Sequence, residues 1–209
     1  MIKVKICGIT NLEDAVWASS VGADALGFIF TTRSPRFIRP DEAKKIIERL
    51  DPFVFKTGVF LDEERQKAAD IAFALGLDGL QFHGQEGADY CESFSKDFKV
   101  IKVLFPTEEP LAKQVKRYCC DAFLFDLPLK EKKAGVKTLP AAALKEISGL
   151  IKAGTRCIIS GGLNCKNIGK IIKLSPYAVD VAGGVEKMVG KKDKDLVREF
   201  IEKAKGLKV

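Results

Sequence analysis

The sequence predicts an α/β fold: a closed (β/α)8 barrel of the TIM-barrel class, built as one domain over residues 1–209. Short apolar runs recur near residues 2–7, 24–30, 54–60, 78–82, 98–104, 121–126, 155–160 and 177–182, each about the length of a buried strand. Amphipathic stretches of helical spacing separate them, with connections of a few residues. Strands joined through helices run parallel, and eight such units in a chain this short favour a closed barrel over an open doubly wound sheet. No GxGxxG or GxxxxGK[ST] follows any run, so the nucleotide-binding open sheets have little support.

The elements can be justified in order. "VKIC" alternates apolar and polar residues, ends at Cys7-Gly8, and turns into "NLEDAVWA", which has helical spacing. Asp24-Ala-Leu-Gly-Phe28, Asp78-Gly-Leu-Gln-Phe82 and Asp121-Ala-Phe-Leu-Phe125 share one pattern, an Asp followed by apolar residues ending on Phe. They alternate with strands of another kind, "VKIC", "FKTGVF", "VIKVLF" and "RCIISGG", and the eighth run, "YAVDVAGG", departs from the Asp-first pattern. "PDEAKKIIERL", "DEERQKAADIAFALG", "EGADYCESFS", "TEEPLAKQVKRY", "LPAAALKEISGLI" and "NCKNIGKIIKL" supply helices between strands, and "DKDLVREFIEKAKGLKV" a last one.

Composition narrows the function. The 35 basic and 28 acidic residues give a net charge of +7, but the charges are intermixed as on solvated helix faces rather than gathered into a nucleic-acid-binding stripe. A mild positive field suits a small anionic substrate. No run approaches a membrane span and the N-terminus lacks a signal-peptide core, so a cytoplasmic protein is expected. The six cysteines show no C-x-x-C and there is one histidine, so free thiols and no metal site are expected.

In a barrel, chemistry gathers at the C-terminal strand ends. Those ends carry Cys7, the arginine loop "TTRSPRF", His83, Asp126, and the diglycines Gly161-Gly162 and Gly183-Gly184. Glycines let backbone N–H groups approach an anion, and "SGGLNCKN" is read as placing Gly161 and Gly162 just before a helix N-terminus, with "VAGGVE" repeating the arrangement. Loops after strands seven and eight are the habitual phosphate site of this fold, so a phosphorylated small-molecule substrate is expected. Period-two parity puts Lys3, Lys5 and Cys7 on one face of the first strand, and Ala122, Leu124 and Asp126 on one face of the sixth. If the bulkier faces meet the helices, Cys7 and Asp126 point to the barrel axis as a general base and general acid. Lys5, one pleat below, is a candidate for lowering the thiol pKa. Taken alone, Cys7 reads more readily as a small buried hydrophobe than as a catalyst. Arg36 suits a carboxylate or phosphate, or belongs to a solvated basic loop with Arg33 and Arg39. His83 reads either as a substrate contact or as a rim residue.

With these residues in place, the chain resembles the phosphoribosylanthranilate isomerase family. The motifs that carry the resemblance are "VKICGIT", "GFIF…SPRFI", "TGVF", "LQFHG", "DAFLFD", "SGGLNCKNI", "AVDVAGGVE" and "GKKDKDLVREFI", spread over nearly the whole length. The resemblance implies a barrel enzyme without cofactor that catalyses an Amadori rearrangement in tryptophan biosynthesis. Asp126 would protonate the furanose ring oxygen, Cys7 take the C2 proton, Arg36 hold the anthranilate carboxylate, and the diglycine loops the 5-phosphate. Three places depart from the family pattern: "LPLKEKKAGVKTLP" replaces a glycine-rich loop after Asp126, "DVAGGVE" replaces "DVSSGVE", and Val189 stands where proline is common. The loop change leaves two other readings open, a related phosphosugar isomerase or aldolase with another substrate, and a catalytically silent phosphate-binding barrel. An aldolase would need a Schiff-base lysine at a strand end, and Lys102 lies within the fifth strand. Monomer and homodimer are both compatible with the sequence.

Overall fold

The computed structural model describes residues 1–128, 130–131 and 138–207. Gly135 and half of the altered stretch after Asp126, residues 129 and 132–137, lie outside the described residues. Eight parallel strands close in chain order: β1 (Lys3–Cys7), β2 (Ala25–Ile29), β3 (Phe55–Phe60), β4 (Gly79–Phe82), β5 (Lys99–Leu104), β6 (Ala122–Phe125), β7 (Cys157–Ile159) and β8 (Ala178–Val181). β8 pairs with β1 from Lys3↔Ala178 to Ile6↔Val181, which closes the cylinder.

Alternation sorts the side chains as parity requires. Val4, Ile6, Phe123 and Phe125 join the large apolar layer beneath the helices, while Ile101, Val103, Ala122, Leu124, Ile158 and Ala178 form a second cluster inside the barrel. The Asp-first pattern proves structural. Asp24, Asp78 and Asp121 each accept the N–H of a residue in the preceding odd strand through Oδ2: Val4 at 2.8 Å, Lys56 at 2.7 Å and Val100 at 2.9 Å. Each also donates its own N–H to the carbonyl of that same residue. The repeated carboxylate therefore satisfies a strand-end donor that would otherwise be orphaned.

The outer layer holds α1 (Leu12–Ser20), α2 (Pro40–Ile47), α3 (Arg65–Leu75), α4 (Ala88–Glu92), α5 (Leu111–Val115), α6 (Ala141–Lys152), α7 (Ile168–Ile171) and α8 (Lys194–Lys205). Asn11 caps α1 by accepting the Asp14 N–H at 2.9 Å, which turns the chain sharply out of β1. α4 and α5 are shorter than their sequence patterns suggested. The α4 segment breaks into turns held by the Ser93 and Ser95 hydroxyls, and Pro110, which disfavours helical backbone at Glu109 before it, leaves α5 to begin at Leu111. A hairpin, β9 (Glu186–Met188) with β10 (Lys191–Lys192), follows β8 and was not anticipated.

Candidate active site

A cavity of about 400 Å³ opens at the C-terminal ends of the strands. Its wall includes Cys7 from the tip of β1, Arg36 from the loop after β2, and His83 and Asp126 just beyond β4 and β6. Gly161, Gly162, Gly183 and Gly184 complete it from the loops after β7 and β8. The structure thus brings Cys7, Arg36, His83, Asp126 and the four loop glycines to one cavity. Among the described residues, no group of three or more His, Cys, Asp and Glu could hold a metal ion.

Cys7 is 5% exposed and sits above a buried ion pair, Lys5 Nζ to Asp180 Oδ1 at 2.8 Å. These two residues are aligned partners on β1 and β8. Burial pushes the Cys7 thiol pKa up, Lys5 pulls it back, Asp180 opposes Lys5, and the net displacement is upward. Lys5 does act to lower the thiol pKa, as the sequence suggested, but against a larger desolvation cost and with part of its field opposed by Asp180. Burial would also pull the Lys5 ammonium down, but Asp180 and Cys7 outweigh it and its pKa rises. Thiol and ammonium fit together because residue 27 has no side chain. A Cβ on Gly27 would lie 2.8 Å from Cys7 Sγ and 2.9 Å from Lys5 Nζ.

Asp126 is 4% exposed; its Oδ1 accepts the Leu127 N–H at 2.7 Å, and its Oδ2 lies 3.5 Å from His83 Nε2. His83 Nδ1 in turn lies 3.4 Å from Gln81 Nε2, and the imidazole packs on Phe105 with centroids 5.6 Å apart. A Gln81 amide donating to Nδ1 selects the tautomer whose Nε2–H faces the carboxylate. His83 thus lines the cavity with its ring between Gln81 and the Asp126 carboxyl group.

Arg36 is paired fork to fork with Glu186, Nε to Oε1 at 2.8 Å and Nη2 to Oε2 at 2.7 Å. This engages two of its five N–H donors and holds the guanidinium on the cavity wall. The hydrogen bond from Arg36 raises the arginine pKa further. Burial works to raise the Glu186 pKa, but Arg36 and Lys192 hold it below the usual carboxylate range.

The diglycines need their lack of a side chain. Gly161 and Gly162 have φ of +81° and +70°, and a Cβ on Gly184 would overlap the Leu163 carbonyl. Their setting differs from expectation. Gly161-Gly162 does not lead straight into a helix: Asn164 and Asn167 first build a turn, with Asn167 Nδ2 donating to the Gly162 carbonyl at 2.9 Å, and the four-residue α7 begins only at Ile168. Gly183-Gly184 opens a single 3-10 turn, Gly183–Val185, which runs into the β9–β10 hairpin. Any anion here would meet loop N–H groups rather than the end of a long helix dipole.

The family model described as N-(5'phosphoribosyl)anthranilate (PRA) isomerase matches residues 4–203. The chain belongs to the phosphoribosylanthranilate isomerase family. It is 41% identical over 208 residues to N-(5'-phosphoribosyl)anthranilate isomerase of Thermotoga neapolitana, covering 99% of this chain and 100% of the relative. A crystal structure of monomers of the dimeric phosphoribosylanthranilate isomerase of Thermotoga maritima superposes with a TM-score of 0.88 at 37% identity, covering 99% of this chain and 100% of that one. A further phosphoribosylanthranilate isomerase structure, in complex with reduced 1-(o-carboxyphenylamino)-1-deoxyribulose 5-phosphate, superposes with a TM-score of 0.83 at 37% identity and the same coverage.

In this family member, sequence reasoning passed over Gln81 and Asp180, which line the cavity, and Gly27, Glu186 and Lys192 behind it. Gln81 and Asp180 carried a usable signal, since each is a polar side chain within an otherwise apolar strand. The Gln81 Oε1 atom is buried with no hydrogen-bond partner. Lys102, weighed as a Schiff-base candidate, points away from the cavity: its Nζ bonds Glu86 Oε2 at 2.7 Å and the Gly84 carbonyl at 2.8 Å.

Proposed function

We propose that this chain catalyses the Amadori rearrangement of N-(5'-phosphoribosyl)anthranilate to 1-(2-carboxyphenylamino)-1-deoxyribulose 5-phosphate by general acid–base catalysis, with Asp126 as the acid and Cys7 as the base. Asp126 gives its proton to the furanose ring oxygen while the nitrogen lone pair closes a C1=N bond, so the ring opens to a Schiff base. The Cys7 thiolate then takes the proton on C2, leaving an enolamine, and protonation at C1 with loss of the C2 hydroxyl proton gives the ketose. Arg36 receives the anthranilate carboxylate, and the loops at Gly161-Gly162 and Gly183-Gly184 receive the phosphate. His83 holds the Asp126 carboxyl group from the side through Oδ2. The observation that carries this reading is the shared cavity: a buried carboxyl group and a buried thiol open onto one space flanked by glycine loops and an arginine. Proton transfer alone completes the reaction, which suits a site of this kind.

The test is turnover of freshly prepared substrate, followed by loss of anthranilate fluorescence. The wild-type chain should turn over and should rescue a tryptophan auxotroph lacking this step. Cys7→Ser should lose about 10²-fold or more in kcat, because a hydroxyl is a far poorer source of a neutral-pH base than a thiol. A wild-type chain that binds the reduced product analogue without turning over substrate would favour the silent-barrel reading instead.

We also infer one domain over residues 1–209, a cytoplasmic site of action and a homodimer. Six unbridged cysteines support the compartment, and no described helix is long and apolar enough to cross a membrane. For the dimer, support comes from the dimeric Thermotoga maritima relative and from the opposite barrel end. There a cavity of about 300 Å³ is lined by Phe55, Ile101, Ala122, Ile158 and Tyr177 among others. Phe53, two residues before Phe55, is 95% exposed. A knob and a hole on one face make a self-complementary surface, as a two-fold dimer requires. Light scattering should give twice the 22.9 kDa chain mass, and Phe53→Asp should shift it toward a single chain. A wild-type protein at the mass of one chain would overturn the dimer.

A further inference from the structure

We propose that Lys192 is a positioning residue for this reaction: its ammonium locks together the strand bearing the thiol, the strand bearing the second diglycine, and the carboxylate that aims Arg36. The inference rests on the reading of the site given above. Lys192 belongs to β10, outside the barrel, yet its side chain is only 1% exposed. Its Nζ donates to the Cys7 carbonyl at 2.7 Å, the Ala182 carbonyl at 3.1 Å and Glu186 Oε1 at 2.9 Å. An ammonium has three protons, and all three are used.

The location of those acceptors gives the contact its meaning. Aligned pairing between β1 and β8 runs out at Ile6↔Val181, one residue short of Cys7 and Ala182. Lys192 therefore bridges the two strand ends where the aligned pairing stops, and so sets the spacing between the base and the loop at Gly183-Gly184. Its third bond neutralises Glu186, whose two oxygens grip Arg36 and whose Oε1 also accepts the Gly190 N–H at 3.3 Å. The backbone of Lys192 is anchored in its turn, donating to Asp14 Oδ2 of α1 at 2.8 Å. A hydrophobe at 192 could fill the same space but would leave two carbonyls and a buried carboxylate without this partner. The charged groups facing the thiol are Lys5 of β1, Asp180 of β8, Arg36 of the loop after β2, and Lys192.

Lys192→Met and Glu186→Gln, in the full chain, separate positioning from bare stability. With the fold verified by circular dichroism at the assay temperature, Lys192→Met should lower kcat and raise KM, each by on the order of ten-fold or more, because base, anion loop and arginine all lose registration. Glu186→Gln should raise KM with kcat nearly unchanged. Its loss of affinity should vanish for a reduced product analogue lacking the ring carboxylate, whereas Lys192→Met should weaken both analogues. A substrate-free measurement stands beside these: iodoacetamide labelling of Cys7, read by peptide mass spectrometry, should move its rising limb to higher pH in Lys192→Met. Native kcat, KM and Cys7 labelling in a Lys192→Met protein that merely melts earlier would overturn the proposal. If Lys192→Met does not fold, a Glu186→Gln protein with unchanged KM and unchanged carboxylate discrimination overturns it equally. A wild-type chain without turnover or analogue binding counts against the reaction assigned here, while the labelling shift still decides the role of Lys192.

Discussion

Asp126→Asn should leave a folded barrel whose kcat is lower by on the order of 10²–10⁴-fold, the range associated with loss of a positioned general acid. Asparagine has nearly the same shape, and its amide oxygen can still accept the Leu127 N–H that Oδ1 accepts now at 2.7 Å. Its amide nitrogen would face His83 Nε2, which adjusts by moving its proton to Nδ1, and Gln81 can turn its otherwise unpartnered Oε1 toward that proton. What the variant lacks is a proton to deliver to the ring oxygen. Binding of the reduced product analogue should stay within a few-fold of wild type, since the phosphate and carboxylate contacts are assigned to other residues. Single-turnover fluorescence and calorimetric titration check the two halves separately. An Asn variant keeping more than about a tenth of wild-type kcat would move the acid elsewhere, with His83 the first residue to test.

Lys5→Met carries the second large effect, and it acts on both stability and rate. The side chains of Lys5 and Asp180 are only 4% and 7% exposed and 2.8 Å apart. Removing one member of such a pair strands the other charge in the barrel interior, which costs about 3–5 kcal/mol. For a chain of this size the melting temperature should fall by on the order of 10 °C. The catalytic effect has a definite sign. In the proposed role Cys7 works as the thiolate; its pKa is already raised by burial, and Lys5 is the largest influence pulling it down. In the wild type kcat/KM should therefore still be rising with pH beyond ~8.5, the ordinary range of a free thiol. In Lys5→Met that limb should move to higher pH, so the loss is greatest near neutrality and shrinks toward alkaline pH. Adding Asp180→Asn should restore part of the stability and, because the Asp180 charge also raises the thiol pKa, should bring the alkaline limb part of the way back. A Lys5→Met protein with the wild-type pH–rate profile would show that Lys5 serves folding alone.

These effects bear on how much could be read from the chain before its fold was known. The strand count and order were legible because each strand carries its own local signal, a short apolar run bounded by helical spacing. Parity along β1 and β6 likewise sent Cys7 and Asp126 inward, since a strand's two faces are decided by the sequence of that strand alone. The weaker readings concerned segments whose conformation depends on neighbours. The α5 pattern in "TEEPLAKQVKRY" held, but its start moved to Leu111, whose N–H finds Glu146 from a helix far along the chain. The helix after "SGGLNCKN" starts later than its pattern, at Ile168, because Asn164 and Asn167 first satisfy the loop backbone in a turn.

By itself the sequence determined the barrel, its eight strands, the inward-facing thiol and carboxyl group, and the two glycine loops, because each depends on spacing within a few residues. Only the tertiary structure decided which charges meet. Lys5 pairs with a carboxylate 175 positions away, Arg36 with one 150 away, and Lys192 reaches the Cys7 carbonyl across 185. Periodicity tells a residue which way to face, not whom it will face. Closing the cylinder brings the last strand and its hairpin against the first, and that contact sets the charges around the thiol and the aim of the arginine.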